Sequence, residues 1–268
     1  MTQYGDVSVE MTGYVALVEI HRPPHNFFDH DLIRNIADAF EALDATTACR
    51  ALVLAAEGKS FCAGANFHPA SDKEGSKPDN KADGKPAAIN ANPLYQEAVR
   101  LFACKKPIVG AIHGPAVGGG LGVALVPDFR IVCPETRFAA NFVKLGIHPG
   151  FGLTHTLPRL IGIQKATHMF LTGRRIDGQT ALDWGLADVL TSRDQVREEA
   201  MALATEIAEA APLAVQSTRA TLRGDLAGRI KAQTDHELAE QTWLFKTEDH
   251  AEGVRSFSER RPGNFKNK

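Results

Sequence analysis

The stretch Gly110-Ala111-Ile112-His113-Gly114-Pro115-Ala116-Val117-Gly118-Gly119-Gly120-Leu121-Gly122, with Ser60-Phe61-Cys62-Ala63-Gly64-Ala65-Asn66-Phe67 upstream, decides how the chain is read. Each is an apolar run that stops at small residues, so a backbone arriving on a buried strand can turn with its amides uncovered by side chains. Two such turns from separate segments can aim two N–H groups at one oxygen, the geometry that stabilises an oxyanion as a carbonyl gains charge. Other glycine motifs fail on spacing. A dinucleotide fingerprint starting at Gly118 has Val123 at its last glycine position, and a phosphate loop ending in Gly58-Lys59-Ser60 has Val53 at its first.

The two turns belong to a wider ordered set. R-P-P-H-N-F runs from Arg22, S-F-C-A-G-A-N from Ser60, K-P-I-V-G-A-I-H-G-P-A-V-G-G-G-L from Lys106, L-G-I-H-P-G-F-G from Leu145 and L-T-G-R-R-I-D-G-Q-T-A-L-D-W-G-L-A-D-V from Leu171. Over nearly its whole length the chain resembles the crotonase superfamily, also called the enoyl-CoA hydratase/isomerase family. The resemblance implies an α/β fold, a coiled β/α superhelix of ββα repeats followed by C-terminal helices that assemble trimers, commonly paired into hexamers. It also implies an enzyme, a lyase or isomerase of fatty acid metabolism, whose substrate is an acyl-CoA thioester. Coenzyme A is then part of the substrate, and no separate cofactor is expected.

Composition agrees with a soluble enzyme of this size. The 268 residues are 44% hydrophobic with a formal net charge of −2, enough for a large core and unlike a nucleic-acid or polybasic membrane footprint. The four cysteines, Cys49, Cys62, Cys104 and Cys133, lie in apolar segments without a C-x-x-C pair and read as reduced thiols of a cytoplasmic protein. Cys62, beside the first turn, reads as a small buried hydrophobe rather than a nucleophile, because no activating partner neighbours it in sequence. The opening Met1 to Val9 resembles neither a signal nor a transit peptide, and no apolar run reaches membrane-spanning length. None of the ten histidines falls in a metal-binding motif, so no metal is expected.

Periodicity predicts an opening hairpin from Val7–Val9 and Tyr14–Ile20, then a helix capped by Asp29 with apolar positions Leu32, Ile33, Ile36, Ala37, Phe40 and Leu43. Buried strands at 51–55 and 107–112 deliver the two glycine turns, with a helix near 94–103 between them. Pro69 to Asn92, nearly free of large apolar residues, reads equally as a mobile lid or a solvated insertion. From Val196 onward the pattern turns helical, with a stripe of Val196, Ala200, Leu203, Ala204 and Ile207. The expected division is a core at 1–195, holding the thioester site, and a helical oligomerisation region at 196–268.

Residue by residue, the resemblance puts the oxyanion donors at the N–H groups of Ala65 and Gly119, where Gly119 is expected to leave space for the thioester oxygen. It puts coenzyme A contacts at His25, Asn26, Phe27, Ala63, Asn66 and Phe67, with Phe265 and Lys266 at the adenine end. Gly118, Phe142, Gly150 and Phe151 are expected to line the acyl group, the two aromatics suiting a wide apolar one. The family's acid and base do not carry over. Its two hydratase glutamates correspond to Gly122 and Phe142, and the carboxylate of other members corresponds to Gly150. Water addition needs groups to activate water and protonate carbon, so a nonstandard base is required, and His148, two residues before Gly150, is the candidate. Lys144 and Asn141 are weaker candidates on the same segment, His113 reads as structural, and His68 reaches the site only if the 69–92 segment closes. Hydrolysis or carbon–carbon cleavage of a bulkier ester, and a non-catalytic CoA-ester binder, are the alternatives.

Overall fold

The computed structural model describes residues 1–66 and 91–268. Phe67, His68 and nearly all of the 69–92 segment lie outside the described residues.

The chain begins with β1 (Thr2–Tyr4), β2 (Val7–Thr12) and β3 (Val15–Ile20), then α1 (His30–Ala45), β4 (Ala51–Ala56), α2 (Ala91–Ala103) and β5 (Ile108–Ile112). Next come β6 (Pro115–Val117), α3 (Gly119–Ala124), β7 (Phe129–Val132), β8 (Arg137–Ala139) and a short 3-10 turn at Phe142–Leu145. The remainder is α4 (Leu153–Ile161), α5 (Ile163–Thr172), β9 (Arg175–Asp177), α6 (Gly178–Trp184), β10 (Val189–Leu190), α7 (Val196–Glu209), α8 (Pro212–Arg223), α9 (Leu226–Leu244) and α10 (Glu248–Ser258). The predicted hairpin forms, β2 pairing antiparallel with β3, and Asp29 caps α1 by accepting from the Leu32 N–H at 2.8 Å. Strand β1, outside the expected hairpin, adds an antiparallel edge.

The main sheet runs β1-β2-β3-β4-β5-β7-β10, parallel from β3 onward, and a small sheet β6-β8-β9 stands beside it. Alternation along β4 divides the interior. Leu52, Leu54 and Ala56 face one apolar cluster that includes α1 and α2, and Ala51, Val53 and Ala55 face another. The second cluster is closed by Val196, Ala200, Ala204 and Ala208 of α7, whose small side chains at four-residue spacing let the helix lie close to the sheet.

The expected boundary at 196 therefore does not coincide with the edge of the packed core. Helix α7 is the second face of the sheet, because a parallel sheet with only one covered face would leave Val53, Val109 and Ile131 in water. The later helices also fasten to the core. Arg219 of α8 donates through Nε to Asp128 at 2.8 Å, Gln241 of α9 accepts from the Tyr95 hydroxyl of α2 at 2.8 Å, and His250 of α10 bonds the Leu145 carbonyl at 2.8 Å.

Candidate active site

Strand pairing brings the two glycine turns together. Cys62 forms a parallel bridge with Ala116, its N–H donating to Pro115 O at 3.1 Å and its carbonyl accepting from the Val117 N–H at 3.0 Å. Gly64 then takes φ +88°, and a Cβ there would sit 2.6 Å from Val117 O and 3.9 Å from the Gly119 nitrogen. Only glycine fits, and the two turns meet at this point. Gly118, at φ 58° and ψ −125°, donates its own N–H to Ala139 O at 2.8 Å and releases the chain into α3. Among the described residues, neither the Ala65 nor the Gly119 N–H has a backbone carbonyl partner. Two neighbouring free donors at the start of a buried helix are suited to one incoming oxygen.

Space around the turns is set by aromatic rings. The Phe28 N–H donates to Gly64 O at 3.0 Å, and its ring lies where a Gly119 Cβ would be, 2.3 Å from the nearest ring carbon. The room on the Cβ side of Gly119 therefore belongs to Phe28, and the expected space for a thioester oxygen can lie only on its N–H side. A Cβ on Gly122 would meet the Phe151 ring at 2.5 Å, and Phe151, 1% exposed with φ 66°, packs 5.9 Å from Phe28. A Cβ on Gly150 would lie 1.9 Å from the Tyr95 hydroxyl oxygen. Gly150 and Phe151 are thus interior packing rather than acyl lining, because helix α2 and the Phe28 segment fill the volume beside them. Phe142 does stay at the turn, with its ring tip 3.8 Å from the Cβ position of Gly118. Gly122 lies against the Phe151 ring and Gly150 against the Tyr95 hydroxyl, and Phe142 is buried at the turn.

The other candidates separate in space. His148 Nδ1 lies 2.8 Å from Pro149 O, and a carbonyl only accepts, so Nδ1 carries the hydrogen and the neutral ring keeps its lone pair on Nε2. The ring packs edge-on, 5.8 Å away, against exposed His236 of α9. No hydrogen bond among the described residues joins that imidazole to the glycine turns. His113 bonds Gly58 O through Nε2 at 3.0 Å, and burial lowers its pKa. Burial pushes the Cys62 thiol up to about 12, which leaves it protonated. Lys144 is exposed, its stem lying over Gly173.

Of the expected coenzyme A contacts, which involve the backbone at His25 to Phe27, Asn26 has its side chain occupied within the protein. It is fully buried, with Nδ2 donating to Glu57 O and Ser60 O at 2.6 and 2.8 Å and Oδ1 accepting from the Arg22 N–H at 2.9 Å, so it staples two loops together. His25 is exposed beside half-buried Phe27, with ring centroids 5.6 Å apart, and the His25 carbonyl accepts from the Ala63 N–H at 3.0 Å. Asn66 is exposed at the rim. Phe265 is 44% exposed, and the Lys266 N–H bonds Asp249 at 2.6 Å, which pins this tail to the first turn of α10. Surface grooves of about 410 and 380 Å³ lie elsewhere, along β1–α1 and between α1 and α2. Among the described residues no three His, Cys, Asp or Glu side chains gather as for a metal ion, and no helix is long and apolar enough to cross a membrane.

Sequence reasoning missed Phe28, Tyr95, Gln241 and Glu237. Glu237 of α9 is fully buried and accepts from the Gly152 N–H at 2.7 Å, the Thr154 N–H at 3.0 Å and the Thr154 hydroxyl at 2.6 Å. Desolvation raises its pKa to about 7 despite those donors. Gln241, one turn further along α9, donates to His148 O at 2.9 Å. Phe28 stood beside a quoted motif, but its target on Gly119 is a tertiary fact.

Comparison with known proteins identifies the family. The family model described as Enoyl-CoA hydratase/isomerase matches residues 10–268. A probable enoyl-CoA hydratase of Bacillus subtilis is 30% identical, covering 97% of this chain and 98% of its own length. An (E)-benzylidenesuccinyl-CoA hydratase of Thauera aromatica is 32% identical over 97% and 98% of the two chains. Among solved structures, an enoyl-CoA hydratase/isomerase of Pseudoalteromonas atlantica superimposes with a TM-score of 0.83 at 26% identity, covering 97% of this chain and 100% of that one. With its glycine turns, its β/α superhelix and a match across almost its full length, the chain belongs to the enoyl-CoA hydratase/isomerase family, the crotonase superfamily.

Proposed function

We propose that this chain binds an acyl-CoA thioester with its carbonyl oxygen between the Ala65 and Gly119 N–H groups, stabilises the resulting oxyanion or enolate, and does so without the family's carboxylate pair. The observation that carries this reading is the meeting of the Gly64 and Gly118 turns with the Ala65 and Gly119 N–H groups free of backbone partners among the described residues. A preorganised amide costs no reorganisation, and each such donor is worth about 3 to 4 kcal/mol of barrier. The names of the relatives, an enoyl-CoA hydratase and a benzylidenesuccinyl-CoA hydratase, share the CoA thioester and support that substrate class. Coenzyme A then enters as part of the substrate, past His25, Phe27, Ala63 and Asn66.

Proton transfer in this reading falls to His148, whose Nε2 lone pair is the basic site once Nδ1–H is committed to Pro149 O. The closed carboxylate positions favour a second reading, a CoA-ester binder that kept the oxyanion turns and lost the chemistry. We further place the protein in the cytoplasm as a homotrimer or hexamer. Its four free buried cysteines and exposed Leu213, Leu222 and Trp243 on the C-terminal helices support that placement.

The deciding experiment is mass-spectrometric turnover of an acyl-CoA panel, enoyl, dienoyl, aromatic and β-keto, with crotonyl-CoA as hydratase control and direct binding measured in parallel. Ester binding is expected, with crotonyl-CoA hydration at least about a hundredfold below that of a relative carrying both glutamates. Rapid hydration would overturn the loss of the acid–base pair, and absence of any ester binding would overturn the site. On any ester that turns over, His148→Ala should lower kcat by about a hundredfold with little change in ester Kd, and an unchanged kcat would return His148 to packing.

A further inference from the structure

A hydroxyl, an imidazole and a carboxylate line up on the sheet face turned away from the glycine turns. Val7 and Val9 of β2 point into the apolar cluster that holds Phe28, Cys62 and Ala116. Alternation therefore turns Ser8, and its register partner Glu19 on β3, to the other face, where Arg197 of α7 forms an ion pair with Glu19. The His21 N–H donates to Asp6 O at 2.8 Å, which carries the β2–β3 ladder past Ile20, and the Glu57 N–H donates to Ile20 O at 3.0 Å, so the ends of β3 and β4 lie side by side. This placement leaves His21 Nε2 2.7 Å from Ser8 Oγ and His21 Nδ1 3.1 Å from Glu57 Oε2. A carboxylate only accepts, so Nδ1 of the neutral ring carries the hydrogen, the lone pair lies on Nε2, and the Ser8 hydroxyl donates to it. That is the tautomer in which the ring can take the serine proton.

We infer that Ser8 is a nucleophile toward small carboxylic esters, with His21 as its base and Glu57 holding the ring, at a site separate from the proposed thioester site. A hydroxyl buried for packing alone needs one acceptor of any kind, whereas this one has an imidazole whose far nitrogen is held by a carboxylate. Ser8 is 5% exposed, while the His21 and Glu57 side chains are 24% and 48% exposed, so the trio opens to solvent through its base. The narrow approach favours a short acyl group, and the Glu19 and Glu57 carboxylates disfavour an anionic one. Arg197, held on Glu19 across the ladder from Ser8, supplies a cation on the same face for the oxyanion. Ser8 Oγ bonds to the acyl carbon as its proton passes to His21 Nε2, and the ester C–O bond breaks with the alcohol leaving on that proton. Water, deprotonated by the same nitrogen, then attacks the acyl-serine, and the carboxylic acid departs as the Ser8 oxygen regains its proton.

The test treats the full-length protein with a fluorophosphonate probe, maps the adduct by mass spectrometry and follows p-nitrophenyl acetate hydrolysis in parallel. The wild type should carry the adduct on Ser8 and hydrolyse the acetate, and Ser8→Ala should lose both. His21→Gln should slow labelling at least about a hundredfold. Glu57→Gln, at a half-exposed position, should slow it at least about tenfold, because the ring loses the anion that stabilises its charged form. The latter variant covers the case in which His21→Gln misfolds. No adduct on Ser8 in the folded wild type, labelling that appears only in urea, or acetate hydrolysis that persists in Ser8→Ala would overturn the inference. So would labelling rates within about threefold of wild type in both the His21→Gln and Glu57→Gln proteins.

Discussion

Helices α3 and α4 begin alike and end their capping problem differently. Each follows a glycine with positive φ, Gly118 at 58° and Gly152 at 70°, and neither glycine brings a capping side chain. At α4 the vacant role is taken by Glu237 of a distant helix, whose carboxyl group accepts from Gly152 and Thr154. At α3 no backbone acceptor among the described residues reaches the Gly119 N–H. Elsewhere the ordinary solution operates, with Asp29, Asp177, Asp225 and Thr247 closing the helices that follow them. The difference teaches that the fold can close a helix start from within or from afar. An open donor beside a second glycine turn is the feature on which the proposed oxyanion site rests.

The largest expected effect comes from spoiling the open start. Gly64→Ala forces a side chain at φ +88° into the Val117 carbonyl, and the displaced Ala65 N–H should lower kcat/KM on any ester turned over by about a hundredfold to a thousandfold. Steady-state kinetics on the folded variant would read it, and unchanged kinetics would break the comparison.

The closed start should instead show itself in stability against pH. The Glu237 carboxyl titrates near its ordinary 4.5 when unfolded and at about 7 in the fold. Between those values the native state holds the extra proton, so wild-type stability should fall as pH rises from about 4.5 to about 7 and level off above, by up to about 3 kcal/mol. Urea denaturation across that range should show the slope in the wild type and flatten it in Glu237→Gln. The smallest effect belongs to a start closed by its own neighbour. Asp29→Ala removes the bond to the Leu32 N–H and should cost about 1 kcal/mol in the same denaturation experiment, since Arg22 keeps its ion pair with Asp6.

Local signals carried the elements that depend on local physics. Patterning in Val7–Val9 and Tyr14–Ile20 marked the hairpin that forms at Val7–Thr12 and Val15–Ile20, Asp29 marked the start of α1, and the stripe from Val196 marked α7. What α7 packs against was not legible, because an apolar stripe states that a face must be buried and is silent on the partner. The short strands β6, β8 and β9 were equally hidden, since strands of three residues are defined by pairing rather than by pattern.

For the site, sequence alone determined the two glycine turns and, through the ordered motifs, the family. These follow from residue identity: at Gly64 positive φ combines with a backbone approach that leaves no room for a Cβ. Tertiary structure decided what fills the space those glycines leave. Phe28 covers Gly119, Phe151 covers Gly122, and the Tyr95 hydroxyl, bonded to a residue 146 positions away, stands beside Gly150. It also committed the Asn26 side chain to three backbone bonds. The reason is that an amide's partners are set by distances between segments remote in sequence, and those distances exist only once the chain has packed.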